Sequence, residues 1–148
     1  MRAHVWAAII AMAAIVPAEA QQAPGWIADS NGCRVWNSIP HQGETIIWSG
    51  RCKAGYADGH GVLVWLLDGK LFETYTGDMM AGHYFGHGTQ IYVDGGIFTG
   101  DYMDDSKDGP GIYHSPDGEV FTGVWDAGCF KGVRRRPGET GVPFSKCE

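Results

Sequence analysis

The sequence lacks the motifs that would point to the commonest catalytic and metal sites. It has no G-x-S-x-G segment, in which a strained turn presents a nucleophilic serine, and no C-x-x-C pair of the kind that binds structural zinc. Acidic residues outnumber basic ones, 17 to 11, and the formal net charge of −6 disfavours nucleic-acid binding and strong attraction to anionic membranes. These absences predict a protein that is not an enzyme and needs no metal or cofactor.

A hydrophobic run long enough to cross a bilayer is also missing. The longest, from Val5 to Val16, falls short of the roughly 20 apolar residues that a transmembrane helix needs. Arg2 precedes this run, and Ala18-Glu19-Ala20 follows it as a small-x-small cleavage pattern. We therefore expect residues 1–20 to be a secretory signal peptide and the remaining chain to be periplasmic or secreted; an uncleaved interfacial anchor is the alternative.

Cysteine is present in an even count that suits an exported chain. Cys33, Cys52, Cys129 and Cys147 predict two disulfides, for which three connectivities are possible. We favour the local pairs Cys33–Cys52 and Cys129–Cys147, because each bridge would then staple one end of the repeated region described below. A zinc site is the rival interpretation, disfavoured by the oxidising compartment and the missing C-x-x-C pair.

Glycine is abundant and recurs with a fixed period. The pattern of Tyr75–Gly95 returns 23 residues later from Phe98, and an earlier copy precedes it. A fixed period of this length is typical of repeat architectures. Every copy opens with an aromatic residue two positions before a glycine, at Trp48-x-Gly50, Tyr75-x-Gly77, Phe98-x-Gly100 and Phe121-x-Gly123. The second half of the first three copies carries G-x-G, at Gly59-x-Gly61, Gly86-x-Gly88 and Gly109-x-Gly111, whereas the fourth copy ends at Gly132 and has Arg134 where the second glycine should be.

Each copy is predicted to form one β-hairpin. The aromatic residue, the glycine and a large apolar residue alternate with polar ones, so they share one face of a strand. Glycine there leaves room for an aromatic ring from a neighbouring strand; Cys52 shares this face, which favours a buried disulfide sulfur. A turn at Gly55, Gly82, Asp105 or Gly128 separates the strands. Asp68-Gly69, Asp94-Gly95 and Asp117-Gly118 then close the copies as predicted type I′ turns.

The flanks do not repeat and are interpreted as caps. Residues 21–47 are predicted to contain a loose lead-in to Asn31, a strand over Gly32–Asn37 and a turn over Ser38–Glu44. The repeats then occupy residues 48–132, and residues 133–148 form a tail that protects the last edge.

These repeats resemble the MORN repeat, whose motif is an aromatic-x-Gly, a glycine-containing turn, G-x-G and a closing Asp-Gly. The resemblance implies an all-β fold, an elongated antiparallel sheet of stacked hairpins, here with disulfide-stapled ends. It extends to short exported bacterial proteins that carry MORN repeats after a cysteine-containing strand. MORN arrays are implicated in protein scaffolding and in membrane or phospholipid association. The resemblance therefore implies binding rather than catalysis.

Candidate metal ligands have structural explanations in this pattern. His60 and His87 occupy equivalent positions, predicted to lie about 10 Å apart, which is too far to share one zinc ion. Asp104-x-Ser106-x-Asp108 resembles half of a calcium loop, but Ser115 stands where the bidentate glutamate should be. We predict no metal site at either place.

Aromatic and arginine residues are the remaining candidates for binding. A single-layer sheet cannot bury both of its faces, so Tyr84, Phe85, Tyr92 and Tyr113 are candidates for a surface that contacts proteins or stacks on sugar rings. Arg134, Arg135 and Arg136 form the one basic cluster, suited to lipid headgroups. The sequence predicts a non-enzymatic binding or scaffold protein of the cell envelope, with a protein partner. The alternatives are a phospholipid-headgroup module and an envelope hydrolase, whose paired carboxylates only the fold could reveal.

Overall fold

The computed structural model describes residues 23–147, and it confirms the predicted all-β fold. The predicted signal peptide, residues 1–20, lies outside the described residues. Within residues 23–147 no helix has the length and apolarity needed to cross a membrane. The strands are β1 Gly25–Ala28, β2 Arg34–Asn37, β3 Glu44–Trp48, β4 Arg51–Lys53, β5 Tyr56–Leu67, β6 Lys70–Met80, β7 His83–Tyr92, β8 Ile97–Met103, β9 Ser106–His114, β10 Val120–Asp126, β11 Cys129–Arg135 and β12 Val142–Lys146.

The strands form one sheet, most of which follows the chain. Neighbours run in the order β1-β2-β5-β6-β7-β8-β9-β10-β11-β12, while β3 and β4 both pair with β5. All pairs are antiparallel except β2 with β5, which meet in parallel at Arg34 and Tyr56. The meander from β5 to β12 is the predicted stack of hairpins.

A continuous row of glycines crosses the sheet because equal positions of successive copies lie opposite each other. The row is Gly61, Gly77, Gly88, Gly100, Gly111, Gly123 and Gly132. Aromatic rings lie on it: a Cβ on Gly88 would stand 2.4 Å from the Tyr75 ring, and one on Gly100 would stand 2.6 Å from Phe98. Tyr75 and Phe98 are fully buried. We call the face that carries these rings the core face and the other the outer face.

Two kinds of turn connect the strands. The within-repeat turns are Ala54-Gly55, Ala81-Gly82, Asp104-Asp105 and Ala127-Gly128, and both residues of each have positive φ. Asp68-Gly69 shares this geometry, which confirms a type I′ turn there. The same prediction was wrong at Asp94-Gly95 and Asp117-Gly118, where only the glycine has positive φ. These two loops are longer: Gly96 N–H, for example, donates to Asp94 Oδ1 at 2.9 Å.

The N-terminal segment forms a hairpin that lies on the within-repeat turns. β1 was missed from the sequence, where Gln21–Asn31 was interpreted as a loose lead-in. Arg34 N–H donates to the Gly55 carbonyl at 3.0 Å, and Trp36 N–H donates to the Gly82 carbonyl at 2.9 Å. Strand β2 therefore crosses the turns of the first two copies. After Asn37 the chain leaves this edge, and β3 then joins the sheet as an antiparallel neighbour of β5.

Both disulfides have the predicted local pairing. Cys33 is bonded to Cys52 and Cys129 to Cys147, so one bridge holds the N-terminal hairpin and the other holds β12 beside β11. The expectation that Cys52 is buried was wrong. Cys52 lies in β4, whose three residues are all exposed, and its partner Cys33 is the buried one.

Candidate binding site

The core face is not covered evenly, and a cavity of about 540 Å³ remains between it and the N-terminal segment. We call this cavity the cap pocket. Its outer wall is formed by the segment from Trp36 to Ile39 with His41 and Glu44, and its rim by Asp105–Lys107 and Ala127-Gly128. The core face supplies its floor: Trp65, Phe72, Glu73, Tyr84, Gln90, Tyr92 and Tyr102.

Register explains why a carboxylate and an amide lie on this floor. Glu73 is opposite Trp65 of β5 and Tyr92 of β7, and Gln90 is opposite Tyr75 and Phe98. Residues directly opposite on adjacent strands project from the same face. Glu73 and Gln90 therefore lie on the aromatic core face, where the first copy has the buried residues Ile46 and Leu63 at the corresponding positions.

A directed hydrogen-bond network converges on one oxygen of Glu73. Gln90 Nε2 donates to Glu73 Oε1 at 2.7 Å, and the Tyr84 hydroxyl donates to the same atom at 3.2 Å. Trp65 Nε1 donates to the Tyr84 hydroxyl at 2.8 Å, which leaves the Tyr84 proton for Glu73. The network therefore holds the carboxylate in one orientation.

Two further tyrosines fix the amide of Gln90. The Tyr92 and Tyr102 hydroxyls both donate to Gln90 Oε1, at 2.6 and 2.9 Å. Because the amide oxygen accepts these two bonds, its nitrogen must face Glu73. These hydrogen bonds restrict the conformation of the pocket floor, because each one fixes the orientation of a neighbouring side chain.

Burial changes the acid–base properties of the floor. Desolvation raises the pKa of Glu73, opposed by the hydrogen bonds from Gln90 and Tyr84. Desolvation also holds the pKa of the fully buried Tyr84 hydroxyl well above its usual range, and the neighbouring Glu73 carboxylate adds to the rise. Tyr84 therefore acts as a proton donor in hydrogen bonds.

Aromatic rings surround these polar groups. Tyr84 stacks on Tyr75 with 4.0 Å between ring centroids, and Tyr102 meets Tyr84 edge-on at 5.6 Å. On the rim, Lys107 Nζ lies 5.8 Å from the Tyr92 ring centroid and 5.3 Å from that of Phe98. A cation at such distances is attracted by the ring face.

His60 and His87, the two histidines at equivalent repeat positions, lie on the outer face, away from the pocket. His60 Nδ1 is 3.0 Å from Asp78 Oδ1, and His87 Nδ1 is 2.9 Å from Asp101 Oδ1. Each pair joins adjacent strands, and the two histidines are more than half exposed.

A His83–Asp104–Asp105 cluster is the one group in residues 23–147 that brings three metal-binding side chains within 4.8 Å of one another. Asp105 is already engaged: its carboxylate is 2.5 Å from His83 Nδ1 and accepts from Tyr84 N–H at 2.8 Å. Burial raises the pKa of Asp105, and the hydrogen bonds from His83 and Tyr84 oppose this rise. The arrangement explains why an aspartate replaces glycine in this turn. These side chains could hold a divalent cation only by giving up that pairing.

The three arginines do not form one patch. Arg134 is opposite Phe121 on the core face and its guanidinium lies 4.5 Å above the Phe144 ring. Arg135 is the next residue along β11 and so projects from the other face. Arg136 donates to Glu119 Oε1 at 2.8 Å.

The four aromatic residues of the predicted binding surface do not form one surface either. Tyr84 and Tyr92 line the cap pocket, whereas Phe85 and Tyr113 do not. The sequence analysis did not identify Glu73 and Gln90 as candidate binding residues. The signal that could have found them is alternation, since Glu73 precedes Tyr75 by two positions and shares its face.

Comparison with known protein families returned a match over the repeats. The family model described as MORN repeat matches residues 49–65, 75–97 and 98–120. No curated protein matches the chain.

Proposed function

The chain is a MORN-repeat protein, and from that premise we propose that it is an exported binding or scaffold module that recognises a protein partner through the cap pocket. MORN repeats are typically binding modules for proteins or membrane lipids and generally carry no enzymatic activity. The proposal assigns this general role to one site.

The observation that carries the proposal is the polar network on the floor of an aromatic pocket. A purely structural core would gain more from an apolar residue than from Glu73, because burying a carboxylate costs free energy. The polar groups of the pocket are few, fixed and surrounded by rings, which is the usual composition of a recognition site. Aromatic residues are also those that contribute most to protein interfaces.

Export to the periplasm or beyond is part of the proposal. Two disulfides among the described residues suit an oxidising compartment. The engagement of Arg134 by Phe144 and of Arg136 by Glu119 supports a protein partner over a lipid headgroup. An envelope scaffold that uses a rigid sheet surface fits these features best.

A pocket-filling substitution tests the proposal. Ser106 is exposed on the pocket rim, and Thr45 is exposed on the outer face of β3. We expect S106W to abolish capture of the partner that the wild-type protein retains after crosslinking in native envelope extracts. T45W, which adds the same side chain outside the pocket, should capture it normally. Equal capture by S106W and the wild type would show that the partner binds elsewhere.

A further inference from the structure

The carboxylate of Glu73 has one oxygen left for a ligand. Both hydrogen bonds that Glu73 accepts end on Oε1, and the ion pairs within residues 23–147 do not include Glu73. Oε2 is not an enclosed unsatisfied atom, since the only such side-chain atom in the described residues is Arg134 Nε. Oε2 therefore belongs to the surface of the cap pocket.

The hydrogen-bond donors to Glu73 are neutral, and the positive charge of Lys107 acts on it only as a Coulombic attraction, which is smaller than the effect of either hydrogen bond. Gln90 and Tyr84 orient the carboxylate, but neither carries a positive charge. Their own partners, Trp65 and the tyrosines, are neutral as well. A partly desolvated carboxylate that forms no ion pair within residues 23–147 favours the approach of a further cation.

The pocket as a whole is acidic and aromatic. Its lining includes Glu44, Glu73 and Asp105 against Lys107 and His41. His41 already pairs with Glu44 at 2.9 Å, so it adds little positive potential for a ligand. Lys107 Nζ lies 5.8 Å from the centroid of the Tyr92 ring, so an aromatic ring of the pocket lining already attracts an ammonium group.

We propose that the cap pocket binds a basic side chain of the partner protein, with the arginine guanidinium or lysine ammonium on Glu73 Oε2 and its aliphatic stem against the rings of Trp65 and Tyr92. This inference rests on the proposed function and names the chemistry of the partner. Charge-assisted hydrogen bonds supply orientation, and the stem contributes apolar burial. An anionic or purely apolar group would leave the carboxylate unpaired.

Short peptides test this directly on the full mature chain. The probes are the blocked tripeptides acetyl-Gly-Arg-Gly-amide and acetyl-Gly-Lys-Gly-amide, with norleucine and glutamate versions as controls. The indole N–H signal of Trp65 in proton–nitrogen NMR reports on the pocket floor because Trp65 donates to Tyr84. We expect saturable shifts with the basic peptides and none with the glutamate peptide.

Paired variants separate charge from shape. E73Q keeps the size of the side chain and an acceptor for Gln90 and Tyr84, and should weaken binding of the basic peptides roughly tenfold. D101N removes the same charge from the outer face and should leave binding unchanged. Equal binding by E73Q and the wild type, equal binding of the norleucine peptide, or binding of glucose but not of the basic peptides would overturn the inference.

The two proposals fail separately. If the basic peptides do not bind but S106W still abolishes partner capture, the pocket recognises a partner of other chemistry. If the peptides bind but S106W captures the partner normally, the basic-side-chain site exists and the proposed function is wrong.

Discussion

At the scale of residues, Glu73 is a carboxylate held on the aromatic core face. Strands β5, β6 and β7 place it between Trp65 and Tyr92, where an apolar side chain would pack without loss of hydration. Gln90 and Tyr84 compensate by donating hydrogen bonds to its Oε1. The residual cost of holding a charge there is consistent with a role in binding rather than in folding.

The raised pKa of Glu73 gives stability a pH dependence of known sign. Between its ordinary value of 4.5 and its higher folded value, the folded protein binds more protons than the unfolded one. The stabilising contribution of protonated Glu73 is therefore complete at low pH and is lost as the pH rises through this window.

We predict that E73Q removes this loss. The free energy of unfolding of E73Q should rise relative to that of the wild type as the pH increases above about 4.5, the ordinary pKa of a glutamate. Urea unfolding at several pH values measures the difference, and D101N serves as the charge control. A constant difference between E73Q and the wild type across this range would mean that Glu73 titrates normally.

Alternation along β6 is enough to place Glu73 on the face of Tyr75. Its partners could not be predicted in the same way, because Trp65, Tyr84 and Gln90 come from two other strands and meet only through the register. The predicted aromatic surface was incomplete for the same reason. Residues facing a pocket and residues facing solvent have the same periodicity.

At the scale of elements, the glycine row and the rings above it decide how closely the hairpins pack. Tyr75 lies over Gly77 and Gly88, and Phe98 lies over Gly100 and Gly111. Each ring thus covers a pair of glycines on adjacent strands. The fixed period predicts this row, because a constant repeat length brings the same position of each copy to the same level of the sheet.

Gly88 offers the clearest test of this packing. Its φ is not positive, so its backbone conformation suits any residue and only the lack of space excludes a side chain. The Cβ of an alanine would collide with the fully buried ring of Tyr75. G88A should lower the free energy of unfolding by about 1–3 kcal/mol, the usual cost of overpacking. Chemical denaturation measures it.

Gly25 provides the matched control. A Cβ added there would have the Ala23 carbonyl oxygen as its nearest neighbour, at the ordinary contact distance of 3.8 Å. G25A should be as stable as the wild type or slightly more so. A G88A protein as stable as G25A would show that Tyr75 can move without cost.

The Asp-Gly turns show where element-scale prediction stops. The dipeptide alone does not specify loop length, so the type I′ geometry holds at Asp68-Gly69 but not at Asp94-Gly95, where Gly96 extends the loop. The within-repeat turns were predictable from their second residue, a glycine or Asp105, which tolerates a left-handed conformation, whereas the alanine that precedes the glycine in three of them gave no such signal.

At the scale of the whole molecule, the N-terminal hairpin turns a repetitive sheet into one with a single distinct site. β2 crosses the within-repeat turns of the first two copies and leaves those of the third and fourth at the pocket rim. The repeats predict the array. They do not predict the path of the cap, which depends on contacts between segments that are far apart in sequence.

The central claim is that the partner binds in the cap pocket and not on the outer face. Ile39 lines the pocket and is 63% exposed, whereas Ile47, on the outer face of β3, is 55% exposed and does not line it. Replacing each in turn with a photoreactive phenylalanine analogue therefore compares two equally accessible positions.

Photocrosslinking in intact cells, followed by mass spectrometry, then gives the most direct measurement. We predict one discrete crosslinked protein from position 39, lost when S106W is also present, and none from position 47. The same crosslinked protein from position 47 but not from position 39 would contradict the claim.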